Sequence, residues 1–387
     1  MLSTVNAKTG EKIFMNTTNK LNRVLMAATA VLAMATSAFA IPKGPCDPKP
    51  NPEVCCEEPA PGPFAFSYAK DMSLSCPSDF YIRGDFLLMQ AREDGLEYAL
   101  TQNQDVVPSN SFPLEESEIQ GFTTDNHSTD WNYGARVTIG FYLNHDAWDL
   151  RATYTYFRIN NDKGTIVKNK VLLPFWVTPD TDVPSDAKQT SARWTGTAHD
   201  LNLTLGKPYH VSRYMILNPM VGVKFAKIDQ DFKVRNSGTW AVAPASQRID
   251  MVGDNDFWGV GAIVGMESEW LFGAGFSLFA NASAALLYSH FDVEQTVFET
   301  VELNNTIDHE FNTITPAANL CLGLQWCKHF SKNRYAVSIR GAYEFQAWYD
   351  QNRMRRYLDN TRPECNIELP RANLYLSGFV FGVGFDF

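Results

Sequence analysis

Long hydrophobic runs are what this 387-residue chain most lacks. Beyond residue 40 no stretch approaches the roughly 18 apolar residues of a transmembrane helix, so helical membrane spans are excluded there. Basic charge is scarce too. Residues 1–40 hold four basic residues and one acidic, which leaves 29 Lys+Arg against 42 Asp+Glu and a net charge near −13. That balance argues against binding nucleic acid through a basic face. There is no Gly-x-Ser-x-Gly run to build a nucleophile elbow. There is no zinc spacing either, since Cys55 and Cys56 are adjacent. In the His-Asp dipeptides His145-Asp146 and His199-Asp200, neighbours in a strand point to opposite faces, so neither makes a dyad. No enzyme, metal or cofactor is expected.

What is present begins with an export signal. Lys20 and Arg23 precede an apolar run from Val24 to Ala35, and Ala38-Phe39-Ala40 fits the small-x-small rule of signal peptidase. Residues 1–40 are therefore expected to be a signal peptide, with Met15 to Ala40 already a complete one. Residues 41–75 carry recurrent proline from Pro42 to Pro63 together with Cys46, Cys55 and Cys56. Proline at that density blocks helix and sheet alike, so a periplasmic tether is expected.

Residues 76–387 alternate. Ile82, Gly84, Phe86 and Leu88 oppose Tyr81, Arg83 and Asp85. Ala135, Val137, Ile139 and Phe141 oppose Arg136, Thr138 and Gly140, and a tight hairpin at Asn144 to Ala147 joins them to Trp148, Leu150, Ala152, Tyr154 and Tyr156. The same pattern recurs around Leu203, Val223, Val260, Ala282, Leu322 and Ile339. A period of two puts one set of side chains on each face of a strand. Three features turn the apolar face toward lipid. The clearest runs last about nine to fourteen residues, near the 9–11 of membrane strands. Aromatics bracket the apolar rows, as Trp258 and Trp270 or Tyr335 and Tyr349 do, like an interfacial girdle. The chain ends with Phe379, Phe381, Val383, Phe385 and Phe387 on one face. That row resembles the terminal-strand signature read by the outer-membrane barrel insertion machinery. The expected fold is all-β, a transmembrane antiparallel barrel in the bacterial outer membrane. About sixteen strands fit the length, with Leu96–Thr101, Thr165–Val177, Phe291–Val301 and Tyr357–Leu369 supplying extra strands.

Two segments carry a more specific resemblance. They are Trp148-Asp149-Leu150-Arg151-Ala152-Thr153-Tyr154-Thr155-Tyr156-Phe157, and Leu322-Gly323-Leu324-Gln325-Trp326 followed by Gly341-Ala342-Tyr343-Glu344-Phe345-Gln346-Ala347-Trp348. With the terminal Phe they resemble the major outer membrane protein-like porins of chlamydia-related bacteria, with Legionella-type major outer membrane proteins as near neighbours. The resemblance spans roughly residues 76–387. It implies a monomeric or trimeric porin passing ions and small hydrophilic solutes, set among outer-membrane lipids in a cysteine-cross-linked envelope. A non-conducting structural or adhesive barrel is the alternative.

The expected pore lining is charged on both sides: Arg83, Arg136, Arg151, Lys224 and Arg340 against Asp85, Asp149, Asp200, Glu267, Glu269 and Glu344. A balanced lumen suits a water-filled, weakly selective pore, and a narrow barrel plugged by paired charges is the rival arrangement. Residues 101–130 hold six carboxylates and no Lys or Arg, either folded inward or forming a solvated outer loop. Arg353, Arg355 and Arg356 form a basic cluster, and Asp254-Asn255-Asp256 suits a turn better than a calcium site.

Disulfides are expected after export, with Cys46, Cys55, Cys56, Cys76 and Cys365 as candidates. Cys321 and Cys327 lie six apart in one strand, roughly 20 Å, too far to pair with each other. The tether cysteines either bridge locally or link this chain to others of its kind or to other envelope proteins. Non-reducing gels of outer membranes distinguish these. Cross-linking requires reducible oligomers in the wild type that disappear in a Cys46/Cys55/Cys56→Ser variant.

Overall fold

The computed structural model describes residues 68–69, 80–102, 117–123, 129–143, 148–166, 171–176, 186–212, 214–239, 246–299, 302–331, 334–357, 367–368 and 372–387. The expected signal peptide, the expected tether up to residue 67, the expected hairpin at Asn144 to Ala147, and Cys46, Cys55, Cys56, Cys76 and Cys365 lie outside the described residues.

Ten strands form the wall, numbered here in chain order. They are β1 (Phe80–Glu93), β2 (Trp131–Leu143), β3 (Trp148–Ile166), β4 (Asp186–Gly206), β5 (Met215–Thr239), β6 (Ser246–Gly273), β7 (Phe276–Glu299), β8 (Glu302–Phe330), β9 (Tyr335–Asn352) and β10 (Ala372–Asp386). Each pairs antiparallel with its sequence neighbour, β10 pairs with β1 from Leu374↔Glu93 to Asp386↔Tyr81, and the sheet closes on itself. Phe387 extends the closing seam. Its N–H donates to the Phe80 carbonyl at 3.0 Å, and its ring stacks on Phe80 at 5.8 Å and meets Tyr335 edge-on at 6.4 Å.

The face assignment is inverted relative to a soluble sandwich. Phe86, Val221, Leu286, Leu322, Ile339 and Phe381 are all more than half exposed, whereas Asp85, Asp149, Lys224 and Glu344 are buried. Only an apolar solvent outside and a closed polar interior make that pattern stable. Exposed aromatics mark two levels. Phe141, Tyr214, Phe272, Phe276 and Tyr335 ring the end with short links, and Trp131, Tyr133, Tyr154, Trp258, Tyr288 and Tyr349 ring the other. By the usual arrangement, short links face the periplasm and long loops face outward.

Ten strands replace the sixteen expected, because the strands are much longer than the membrane requires. β6 has 28 residues and β8 has 29. At about 3.3 Å per residue and about 40° tilt, such strands rise roughly 70 Å against an apolar band of ~25 Å. Their outer halves stand beyond the girdle, where lipid no longer enforces the polar/apolar contrast. Phe291 to Val301 was expected to add a strand, yet its described part is the outer end of β7. Within Leu96–Thr101 and Thr165–Val177, the segments Glu97–Gln102 and Val171–Pro174 pair with each other beside the wall, together with Ser117–Gly121. Arg356–Tyr357 and Ile367–Glu368 form a small hairpin of their own. Asp254-Asn255-Asp256 is no turn; it runs within β6 with Asp254 opposite Asp231.

A closed wall of this kind resists detergent until heated. Unboiled protein is expected to migrate faster on gels than boiled protein, and deleting Phe387 is expected to reduce the fast-migrating form. Identical migration of heated and unheated wild type contradicts a closed barrel.

Candidate functional site: the barrel lumen

Ten strands spaced about 4.8 Å apart and tilted by about 40° enclose a backbone cylinder roughly 20 Å across. Long side chains from opposite walls therefore meet. Arg136 on β2 reaches Glu344 on β9 with both terminal nitrogens, at 2.8 and 2.6 Å. The fully buried Glu344 also accepts from Asn319 at 2.6 Å and Gln346 at 2.7 Å, while Arg136 Nε donates to Thr155 Oγ1 at 3.0 Å. Arg151 on β3 clasps Glu267 on β6, with its second contact at 3.0 Å, and also bonds Asp149. Tyr81 joins this group, accepting from Arg151 Nε at 2.8 Å and donating to Asp149 at 2.8 Å.

Arg340 pairs with Asp85, Nε to Oδ1 at 2.9 Å. Both side chains cross the inner face of β10, where Gly382 stands between them. A Cβ there would lie 2.0 Å from Asp85 Oδ1 and 3.0 Å from Arg340 Nε, so only glycine leaves room. Lys224 bonds Asp200 at 2.5 Å, and its ammonium sits 4.8 Å from the centre of the Trp348 ring on β9. Glu269 accepts from Ser277 at 2.8 Å. Arg83 faces a cavity at the short-link end, and its Nε has no bonding partner among the described residues. Ten of the eleven expected lining residues are thus tied to lumen partners. His199 faces outward against Tyr156 while Asp200 turns inward to Lys224. Cys321 and Cys327 stay apart on β8, opposite Glu344 and Ser338.

The lumen changes character along its length. The cavity at the short-link end encloses about 820 Å³ and is lined by Tyr81, Arg83, Arg151, Asn218, Glu267, Glu269, Gln325 and Arg340 among others. Beyond the charge pairs the inward rows turn apolar, with Leu87, Met89, Phe157, Trp194, Phe232, Phe257, Phe291, Leu374 and Leu376 all buried. Described residues of the links after β1 and β3 fold into this layer. Phe122 packs against Trp194 at 5.9 Å and Phe232 at 6.3 Å, and Trp176 meets Phe232 at 5.4 Å. Within the acidic loop, Phe122 therefore packs into this layer, whereas Glu118 stays exposed. Asp105, Glu115, Glu116 and Asp125 lie outside the described residues. Arg353 of the basic cluster closes over Phe291 at 5.5 Å and Phe311 at 5.4 Å.

Sequence reasoning missed Tyr81 as a bridge, Trp348 as the partner of Lys224, and the whole apolar layer. Parity held the signal: Leu87 and Met89 share the inward set of Arg83 and Asp85, and Trp348 that of Arg340 and Glu344.

With polar pairs inside and apolar rows outside, the molecule is an outer-membrane β-barrel. It belongs to the family described by the Legionella pneumophila major outer membrane protein precursor, whose model matches residues 75–387. No curated protein matches. Solved structures similar to it include the outer membrane protease OmpT of Escherichia coli, at 9% identity and TM-score 0.39 over 82% of this chain and 99% of that one. The toluene transporter TodX of P. putida gives 7% identity and TM-score 0.27 over 80% and 90%. A Pseudomonas aeruginosa FadL homologue gives 9% and 0.25 over 84% and 93%.

Two outcomes test the electrostatics. Replacing Glu344 alone by Ala leaves Arg136 buried without its carboxylate, a loss of about 3–5 kcal/mol. The double change Arg136→Met with Glu344→Leu is expected to recover most of that, measured by urea unfolding in detergent. The second concerns the outer end of the β5–β6 hairpin, four residues beyond the girdle residue Trp258. There burial and the facing Asp231 carboxylate raise Asp254 from 3.8 to about 7. The folded hairpin then holds more protons than the unfolded chain between those values, so its stability falls as pH rises across that window. Amide exchange at the hairpin end, corrected for intrinsic rates, is expected to quicken from pH 5 to 8, and Asp254→Asn to remove the dependence.

Proposed function

We propose that this barrel is a narrow outer-membrane channel for ions and small hydrophilic solutes, shut in the conformation described, with a structural share in the envelope. The observation that carries this reading is the cavity of about 820 Å³ at the short-link end, lined by guanidinium, carboxylate and amide groups. A lumen that served only to hold the wall together has no need of a water-accessible polar chamber of that size there. Two barriers in series then close the path. The Arg136–Glu344 and Lys224–Trp348 contacts span it, and the apolar layer around Phe257 and Phe291 lies beyond. Opening requires those contacts to exchange partners and the inserted segments around Phe122 and Trp176 to withdraw. Because the lumen charges nearly cancel, selectivity is weak. Catalysis is no part of this reading, in keeping with His199 and Asp200 on opposite faces of β4.

A second reading, a permanently closed structural barrel, is favoured by the apolar layer itself, where Leu87, Phe291 and Leu374 are completely buried.

Planar-bilayer recording separates the two. The channel reading expects brief, small openings of wild type, and a several-fold longer open time in a variant carrying Arg136→Ser, Glu344→Ser and Trp348→Ala. Silence of both proteins, each confirmed folded by heat-modifiable migration, leaves the structural reading. A steady large conductance of wild type contradicts closure, and strong ion preference contradicts the balanced lumen.

A further inference from the structure

Within the apolar layer four buried polar residues are linked by a chain of contacts around one cell. They are Glu93 at the end of β1, Gln230 on β5, Asn255 on β6 and Gln351 on β9, none more than 2% exposed. Their adjacency follows from separate contacts. The Glu93 carboxyl lies beside the Gln230 amide. Gln230 is the cross-strand partner of Asn255. The Asn255 amide donates to the Gln351 backbone carbonyl at 2.9 Å. The ring returns to β1 through Asn352, whose amide donates to the Asp94 carbonyl at 3.1 Å.

The polar atoms of this cell are largely unspent. Beyond that Glu93–Gln230 contact, the Glu93 and Gln230 side chains, the Asn255 oxygen and both Gln351 side-chain atoms are buried with no further bonding partner among the described residues. Buried polar groups in proteins are almost always satisfied, and a carboxylate enclosed without a counter-charge is among the costliest groups to bury. Ile228, Phe232 and Phe257 occupy the inward positions next to Gln230 and Asn255 and wall the cell with hydrocarbon. Met354 caps it, its sulfur 3.0 Å from the position a Cβ on Gly253 would take, two residues beyond Asn255. No Lys or Arg of the described residues is bonded to Glu93.

We propose that this cell is a binding site for one monovalent alkali cation, coordinated by the Glu93 carboxylate and the amide oxygens of Gln230, Asn255 and Gln351. Charge fixes the class. One carboxylate among neutral amides balances a single positive charge, whereas calcium sites gather about 6–8 oxygens, usually with several carboxylates. Oxygen ligands select a hard cation over zinc or copper. The lone carboxylate also makes binding compete with a proton, since a protonated Glu93 needs no cation. The site stands independently of whether the barrel conducts.

The test uses the purified full-length mature chain in detergent, with sodium chloride replacing choline chloride at constant total salt and pH 8. Binding to the folded state alone stabilises it by mass action, so the wild-type heat-modification midpoint is expected to climb with sodium, by a few degrees (~3 °C) at saturation. Glu93→Gln keeps the shape and removes the charge. It is expected to be at least as stable as wild type in choline and to show no sodium response. Gln351→Met, which removes one ligand but leaves the carboxylate, is expected to need several-fold more sodium for the same rise. Equilibrium binding of radioactive sodium, stoichiometric in wild type and lost in Glu93→Gln, gives a readout independent of stability. A wild type indifferent to sodium in both measurements means the cell holds only water and overturns the proposal. An equal response in Glu93→Gln overturns it as well, and a response to calcium but not to sodium overturns the monovalent assignment.

Discussion

A strand in lipid has nowhere to send its amides except to another strand, and the rest of this molecule follows from that. Closure between β10 and β1 joins the first and last strands of the wall, with registers running unbroken from Leu374↔Glu93 to Asp386↔Tyr81. Closing at ten strands fixes a bore of roughly 20 Å between backbones, which long side chains from facing walls can bridge. The inward residues consequently bond one another across the bore, besides lining the cavity at its short-link end.

That requirement explains which lumen residues carry charge. An arginine or carboxylate inside the wall is costly unless its bonding capacity is filled. Glu344 shows this fully, taking both nitrogens of Arg136 and two side-chain amides besides. Arg151 divides its donors among Glu267, Asp149 and Tyr81. Small residues make these geometries possible: Gly382 opens the floor over which Arg340 reaches Asp85, and Gly140 leaves space for the Tyr81 ring, 2.0 Å from where its Cβ would be. Such glycines in mid-strand serve side-chain clearance rather than turns.

Beyond the charge pairs the same narrowness acts on apolar groups. Phe257 and Phe291 lie 5.0 Å apart, and Phe257 meets Trp348 edge-on at 6.3 Å, so three strands join in one packed layer. The cell around Glu93 is an exception inside that layer, polar and enclosed where its surroundings are hydrocarbon. A closed apolar core gains nothing from such a group unless the group binds something, which is why it separates from the structural pairs below it.

The sequence by itself determined the class of fold and the face each residue presents. Period-two alternation holds wherever lipid touches one side, so Phe86 was legible as outward and Asp85 as inward, and the aromatic rows marked the interfaces. Membership in the major outer membrane protein family was legible for the same local reason, since its motifs are strand motifs. Strand number was not. The outer halves of β5 to β8 leave the membrane, and in β7 the alternation that would have joined Phe291 to Phe276 as one strand reverses there, with Phe291, Val293 and Val297 buried inward. Nor was the pairing of lumen charges: Arg136 and Glu344 are 208 residues apart, and parity says only that both point inward. Which wall each one faces depends on the number of strands between them and on the radius at which the sheet closes, quantities that exist only once the barrel does. The balance of five basic and six acidic lumen residues was written in the chain, but whether they line water or bind each other was decided by the closure of the sheet.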